Sequence, residues 1–335
     1  MNAPGPSPER IFTTLNAFHQ TAALKAGIEL DLFTAIDSGR TSPSAIAAQS
    51  GASERGIRIL CDSLTVMGFL EKQDGSYALT PESRLFLSRN SRACLGSISG
   101  FLTSDWSNEN FAHLTDSVRK GGKFSGDGAN TVEAGIWTSF AKCMAPLTVP
   151  AAMFIAKLIG AEAGKPCRVL DIAAGHGMYG ITIARQNPNA GITALDWPGV
   201  LEIAKEHAQE AGVADRYETL PGSVFETEFG SGYDVILLTN IFHHFDPPTC
   251  TALMRKVHCA LKPGGTAVTL EFIPDEDRVS PPTAAAFSLV MLASTNAGDA
   301  YTESEYRRMF GDAGFSQTRM EEVPYMPQRV LISTP

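Results

Sequence analysis

Two imidazoles and a carboxylate stand together in the run Phe242-His243-His244-Phe245-Asp246, and Glu271 follows in an otherwise apolar stretch. Histidine titrates near neutral pH, so either ring can take a proton from an acceptor and release it again. Adjacent residues point in different directions, which gives His243 and His244 separate jobs. A carboxylate at Glu271 can hold one imidazole in the tautomer that leaves its other nitrogen open as a base. A purely structural histidine pair and a surface acid at a strand end are the plainer readings of the same residues. A metal site built on His243, His244 and Asp246 is disfavoured because adjacent histidines chelate poorly, and no metal is expected.

A second group of residues is suited to holding a cofactor. The apolar run at Val169 leads into Asp171-Ile172-Ala173-Ala174-Gly175-His176-Gly177-Met178-Tyr179-Gly180. Glycines permit a tight turn and a close approach of backbone to ligand. The helix they open offers unpaired N–H groups and a positive dipole end. Gly175-x-Gly177-x-x-Gly180, with Asp196 downstream, fits the dinucleotide fingerprint. Asp171 shifts that reading, because a carboxylate beside the turn repels a pyrophosphate and attracts an amino or sulfonium group. S-adenosylmethionine is that kind of ligand, and NAD is the alternative. Asp196 at a strand end can accept both ribose hydroxyls, Trp197 can cover the adenine face, and Ser223-Val224-Phe225 falls near the ring.

Alternating strands and helices from Pro166 onward predict a parallel α/β sheet that positions these groups. Strands are expected at 168–172, 191–196, 216–221, 233–239 and 265–272, with two more near 318–322 and 329–333. Helices are expected at about 179–187, 199–211, 248–261 and 302–313. Before this lies a mainly helical stretch, 101–160, interrupted by a glycine-rich segment at 120–128. Phe140, Met144, Met153 and Phe154 there suit either a cavity wall or plain core. The first part reads as one or two helices over 11–32, short helices over 45–49 and 54–67, and a hairpin around Asp74-Gly75. Helix, helix, hairpin is a winged-helix module. Its second helix carries Glu54, Arg55, Arg58 and Asp62, a balanced set that favours packing over DNA binding.

Composition narrows the classes. The chain has 335 residues, a net charge of −9 and 44% hydrophobic residues, which suits a globular enzyme of more than one domain and disfavours a nucleic-acid partner. The start of the chain lacks the apolar run of a signal peptide, and Ala284–Ala293 is the longest candidate membrane segment and too short, so no membrane partner is expected. Six scattered cysteines point to a reducing, cytoplasmic setting.

Taken in order, Val169–Gly177, Leu195-Asp196-Trp197-Pro198, Pro221–Phe225, Phe242–Asp246, Leu261–Gly265, Leu270-Glu271-Phe272, Tyr301–Tyr306 and Ala313-Gly314-Phe315 resemble the S-adenosylmethionine-dependent small-molecule O-methyltransferases. That family includes plant phenolic enzymes and bacterial tailoring enzymes, and the likeness spans nearly the whole chain. It implies a Rossmann-like methyltransferase domain, a seven-stranded sheet with its last strand antiparallel, preceded by a winged-helix dimerisation domain. The implied boundaries are 1–95 for dimerisation, 96–160 for a helical linker and 161–335 for the catalytic domain.

By position, His243 matches the family's base and Glu271 the acid that orients it. The implied cofactor set is Asp171, Ala173, Gly175, Gly177, Asp196, Trp197, Gly222, Ser223, Val224, Phe225 and Asn240, holding S-adenosylmethionine and releasing S-adenosylhomocysteine. A small hydroxylated acceptor, aromatic or polyketide-like, is implied against Phe140, Met144, His244, Phe287 and Met291. A homodimer burying Ile11, Phe12 and Leu15 is implied as well. The chain departs from the family pattern at several places. Ala173-Ala174 replaces two glycines, Ser223 replaces an adenine-side Asp, and His244-Phe245 replaces Asp-Trp. A second acid beside the base falls at Ala300, leaving that role empty or passing it to Asp299. C- or N-methyl transfer on the same fold, a nicotinamide dehydrogenase and a DNA-binding regulator are the alternatives.

Overall fold

Apolar residues at helical spacing build the first unit of the computed structural model, which describes residues 6–126 and 134–335. This unit ends at Ser104. The stretch 11–32 forms two helices, α1 (Glu9–Leu15) and α2 (Ala17–Glu29), and a third that the sequence reading did not include, α3 (Leu32–Asp37), follows. Asp31, at a φ of 52°, makes the extra break before α3. The hydroxyls of Ser42 and Ser53 cap α4 (Pro43–Ser50) and α5 (Glu54–Val66) by accepting the N–H groups of Ala45 and Gly56. Strands β1 (Leu70–Gln73) and β2 (Ser76–Leu79) pair antiparallel around Asp74 and Gly75, both at positive φ. Leu32, Phe33, Ile46, Ile57, Leu64 and Tyr77 form the buried centre of this winged-helix arrangement. Helices α6 (Pro81–Phe86) and α7 (Ile98–Leu102) complete the unit. Helix α1 buries none of its residues.

The second unit begins at Asp105 with α8 (Asp105–Ala112), α9 (Leu114–Lys120) and α10 (Ala134–Leu158). Residues 127 and 128 of the glycine-rich interruption lie outside the described residues. Helix α10 corrects the sequence reading of membrane segments: Gly135–Leu158 is long and apolar enough to cross a membrane. Pro146 and Pro150 break the run to the eye, yet the helix continues through both. Its Ala141, Ala151, Ala152, Ile155 and Ala156 are fully buried, and the last four belong to the core that backs the sheet.

The sheet itself runs through β3 (Cys167–Ile172), β4 (Ala190–Asp196), β5 (Tyr217–Pro221), β6 (Tyr233–Thr239), β7 (Leu261–Glu271), β8 (Gln317–Glu322) and β9 (Arg329–Thr334). Among the described residues it is seven-stranded, in the order β5-β4-β3-β6-β7-β9-β8, and the last strand in the chain runs antiparallel to both neighbours. Strand β7 starts at Leu261 rather than 265, because a register shift opposite Tyr233–Val235 absorbs the Lys262–Gly264 turn. Helices α11 (Met178–Gln186) and α12 (Pro198–Glu210) join α10 over one face. Helices α13 (Pro247–Ala260) and α15 (Glu303–Asp312) cover the other. Alternate residues of one strand serve the two layers, Val169 inward to one and Leu170 to the other. Helix α14 (Pro282–Ser294) follows β7. Connections leave β3 toward β4 on one side, while β6 lies on the other. In an open α/β sheet ligands bind at such a reversal, outside the carboxyl ends of the strands.

Candidate active site

The carboxyl ends of β3 and β6 turn away from the sheet at two left-handed residues, Ala173 at a φ of 53° and Asn240 at 57°. Asparagine tolerates that conformation; alanine does so at a cost of about 1 kcal/mol, borne where the chain must open a crevice. The glycine turn follows, with Gly177 at a φ of 75° as the N-cap of α11. A Cβ there would lie 2.5 Å from the Tyr217 hydroxyl and 3.0 Å from the Ala204 Cβ, so only glycine lets loop and sheet close up. Asp196 ties this turn to the end of β4: its Oδ2 accepts the Gly175 N–H at 2.8 Å and its Oδ1 the Trp197 N–H at 2.7 Å. Burial raises the Asp196 pKa to about 6.

Asp171 is the next-to-last residue of β3, just before this turn. It is fully buried beneath the turn, and its Oδ2 accepts the Gly180 N–H at 3.1 Å, steadying the start of α11. Burial pushes its pKa up to about 8. His176 went unremarked in the sequence although it sits between two glycines. Its buried ring accepts the Met178 N–H through Nδ1 at 3.1 Å, and its carbonyl takes a bond from His207 Nδ1 at 2.8 Å. Burial drives the His176 pKa down to about 3, so the ring is neutral and works as a helix cap. Asp171 Oδ1 and Asn240 Oδ1 are buried with no hydrogen-bond partner among the described residues. Unmatched acceptors near the ends of β3 and β6 fit a ligand that brings donors and positive charge to the turn. On the β5 side, the Gly222 N–H donates to the Asp196 carbonyl at 3.0 Å, and the Ser223 hydroxyl accepts from the Phe225 N–H at 3.3 Å. Val224 packs on the sheet's second layer, while Phe225 is exposed and meets Phe245 edge-on.

The turn that carries His243 hangs from the end of β7. Glu271 is fully buried, and its Oε1 accepts two backbone N–H groups, from Ile241 and Phe242, each at 2.8 Å. Its Oε2 lies 2.5 Å from Nδ1 of His243. With the carboxylate as acceptor, Nδ1 carries the proton and Nε2 keeps its lone pair. Gly298 packs so closely over this turn that a Cβ would sit 2.1 Å from the His243 carbonyl oxygen.

Residues 111–316 match the O-methyltransferase domain family, and residues 12–89 match the O-methyltransferase dimerisation domain. The chain belongs to the O-methyltransferase family. This O-methyltransferase is 29% identical over 305 residues to 3-hydroxy-5-methyl-1-naphthoate 3-O-methyltransferase of Streptomyces sahachiroi, covering 90% of this chain and 87% of that one. A solved structure from Nostoc punctiforme, assigned as an O-methyltransferase, superposes with a TM-score of 0.93 at 46% identity, covering 99% of this chain and 100% of that one. Human N-acetylserotonin methyltransferase, solved with S-adenosylmethionine, shares the fold with a TM-score of 0.85 at 22% identity, covering 100% of this chain and 99% of that one. The methyl donor of the family is S-adenosylmethionine.

Aromatic rings surround the histidine pair of this O-methyltransferase. Phe287 of α14 meets His243 edge-on with centroids 4.9 Å apart and stacks on Phe272 at 4.0 Å. His244, 4.3 Å from His243 between centroids, faces Trp137 of α10 edge-on at 5.2 Å, and Trp137 in turn meets Phe140 at 5.9 Å. Burial holds the His244 pKa well below the usual histidine range, so this ring is neutral. Of the residues expected to face an acceptor, His244 and Phe287 flank His243 directly. Phe140 joins through Trp137, while Met144 is half-buried in α10 and Met291 is buried in α14. The sequence missed Trp137 and Phe272; Trp137, one turn before Phe140, was the available signal. Trp197 packs with Trp137 on Val200, Ile203 and Ala141. Asp299 accepts the Ala300 N–H at 2.8 Å and pairs with Arg278 at 3.3 Å.

Proposed function

We propose that this O-methyltransferase methylates a hydroxyl of a small aromatic or polyketide-like compound, with His243 as general base and Glu271 as the residue that orients it. The single observation that carries the reading is Glu271 holding His243 by Nδ1 inside a continuous run of rings from Phe140 to Phe272. A flat aromatic acceptor finds edge and face contacts along that run. When bound, S-adenosylmethionine supplies a methyl carbon made electrophilic by its sulfonium. Asp196, Asn240 and the 173–177 turn hold it, with Trp197 and the 222–225 segment on the purine side. Nε2 of His243 takes the acceptor's hydroxyl proton, and the Glu271 carboxylate stabilises the imidazolium that results. The naphthoate acceptor of the Streptomyces relative supports the aromatic class.

Ile11, Phe12, Leu15 and Phe18 form an apolar face between 61% and 66% exposed, the last three within the part matching the dimerisation domain. That face supports a homodimer through the N-terminal unit. The six free thiols fit a reducing compartment.

The test is a panel of phenols, naphthols and polyketide-like hydroxyl compounds incubated with S-adenosylmethionine, scored by mass for a gain of one methyl. For an accepted compound, His243→Ala is expected to lose at least about 100-fold in kcat while calorimetric affinity for S-adenosylhomocysteine stays within twofold. Full turnover by His243→Ala, or a methyl located on carbon or nitrogen by NMR, overturns the base assignment.

A further inference from the structure

Lys256 lies on α13, away from the base, and has no part in the chemistry described above. Its ammonium donates to three backbone carbonyls of the segment after β5: Val224 at 2.8 Å, Phe225 at 3.0 Å and Thr227 at 3.1 Å. Those three bonds use all three ammonium donors. The stem also brings the charge over the Phe229 ring, 4.3 Å from its centroid. Carbonyl dipoles that converge on one point repel unless a cation sits among them. Besides the cation, the segment is held at its start by the Gly222 N–H to the Asp196 carbonyl, and beyond that by local bonds, from the N–H groups of Glu226 and Thr227 to the Ser223 carbonyl and from Phe225 to the Ser223 hydroxyl. Its folded-back shape is tight, since a Cβ on Gly222 would lie 2.2 Å from the Thr227 hydroxyl. Burial lowers the pKa of Lys256, as expected for a cation taken partly out of water for this contact.

We propose that Lys256 is a positioning residue for the purine end of the cofactor, clamping the Gly222–Thr227 segment in its binding shape before the ligand arrives. The inference rests on the reading of 222–225 as the purine side. A preformed segment spares the ligand the entropy of ordering it, so the gain is in affinity. The base turn is held separately by Glu271, so the chemical step does not depend on Lys256.

The experiment compares wild type, Lys256→Met and Lys256→Arg. Methionine keeps the apolar stem over Phe229 and removes the donors; arginine keeps the charge. Calorimetry with S-adenosylhomocysteine and with 5′-methylthioadenosine, which lacks the amino-acid end, gives two affinities. Lys256→Met is expected to weaken both by about tenfold, as charge-assisted bonds are lost. Amide exchange at 223–227 is expected to quicken in the ligand-free variant, and kcat at saturating cofactor to stay within twofold. Lys256→Arg is expected to recover most of both affinities. Equal binding by wild type and Lys256→Met overturns the inference alone. A loss confined to S-adenosylhomocysteine, or a fall in kcat at unchanged affinity, overturns it too. Wild type that binds neither ligand overturns the cofactor reading and the inference with it. Should Lys256→Met not fold, Lys256→Arg with wild-type exchange at 223–227 and wild-type affinities supports the clamp, and tenfold weaker binding by that variant overturns it.

Discussion

Replacing Glu271 by glutamine isolates its role, because the amide keeps the shape and changes only which atoms donate. In the native site one oxygen accepts the Ile241 and Phe242 N–H groups and the other accepts from His243 Nδ1. Glutamine can be placed in two ways. With its oxygen toward the two N–H groups, its NH₂ faces Nδ1 and forces the proton onto Nε2, the nitrogen that must act as base. With its oxygen toward Nδ1, its NH₂ faces two buried donors, which then go unmatched at about 1–3 kcal/mol each. The competent tautomer therefore lies about 2–6 kcal/mol above the incompetent one. At about 1.4 kcal/mol per decade, kcat is expected to fall between about 30-fold and about 10⁴-fold. The assay is methyl transfer to an accepted phenol, followed by mass from pH 6 to pH 10, with S-adenosylhomocysteine affinity as the control. Affinity is expected to hold within twofold. The variant's deficit is expected to shrink as pH nears the acceptor's own pKa, about 10 for a simple phenol, because an ionised hydroxyl needs no base. Glu271→Gln that binds S-adenosylhomocysteine normally and turns over within threefold of wild type at pH 7 would refute the argument.

Further outcomes follow from groups beside the base. Asp171 binds a proton more tightly folded, near pH 8, than unfolded, near pH 3.8, so its contribution to stability falls as pH rises through about 8. His176 and His244 are held neutral by burial, so their contribution is lost as pH drops below about 6.5. The ligand-free protein is therefore expected to melt highest between about pH 6 and 7, and Asp171→Asn to flatten the alkaline side of a Tm-against-pH curve; an unchanged alkaline slope would refute the assignment to Asp171. Charges placed on the apolar face of α1, as Ile11→Asp with Leu15→Asp, are expected to convert a dimer into a folded monomer in sedimentation. Wild type that sediments as a monomer at micromolar concentration would count against the dimer.

The sheet was legible because its strands are buried on both faces and read as continuous apolar runs bounded by Gly, Pro and Asp. Val169–Ile172 and Val235–Leu238 leave little room for another assignment. Helix α3 was not legible as an element of its own, since the single left-handed residue Asp31 that sets it off from α2 leaves the apolar spacing almost unchanged. Helix α10 falls in the stretch read as helical, but its length as one apolar run was missed: prolines end most helices, and Pro146 and Pro150 are tolerated here. At the site, residue types gave His243, Glu271 and the glycine turn, whose chemistry is local. The burial of Asp171 was not legible, because a sequence shows that an acid follows an apolar run without showing whether water reaches it. Lys256 left no signal, as a lysine on a helix surface reads as solvated until its three carbonyl partners are known.

The pairing of Glu271 with His243 depends on something no motif encodes, the register between β6 and β7. Thr239 stands opposite Leu270, and the Asn240 N–H still donates to the Leu270 carbonyl at 2.8 Å. One residue further, the backbone ladder stops and the Glu271 side chain takes over, accepting the next two N–H groups, of Ile241 and Phe242. The carboxylate thus extends the sheet as a false carbonyl and carries the base turn away from it. A slip of one residue would send Glu271 to the opposite face, orphan two buried donors and strip His243 of its partner at once. Strand pairing and tautomer control are therefore one interaction, and the apolar residues that fix the register, Leu238, Val268 and Leu270, hold His243 as firmly as the acid that touches it.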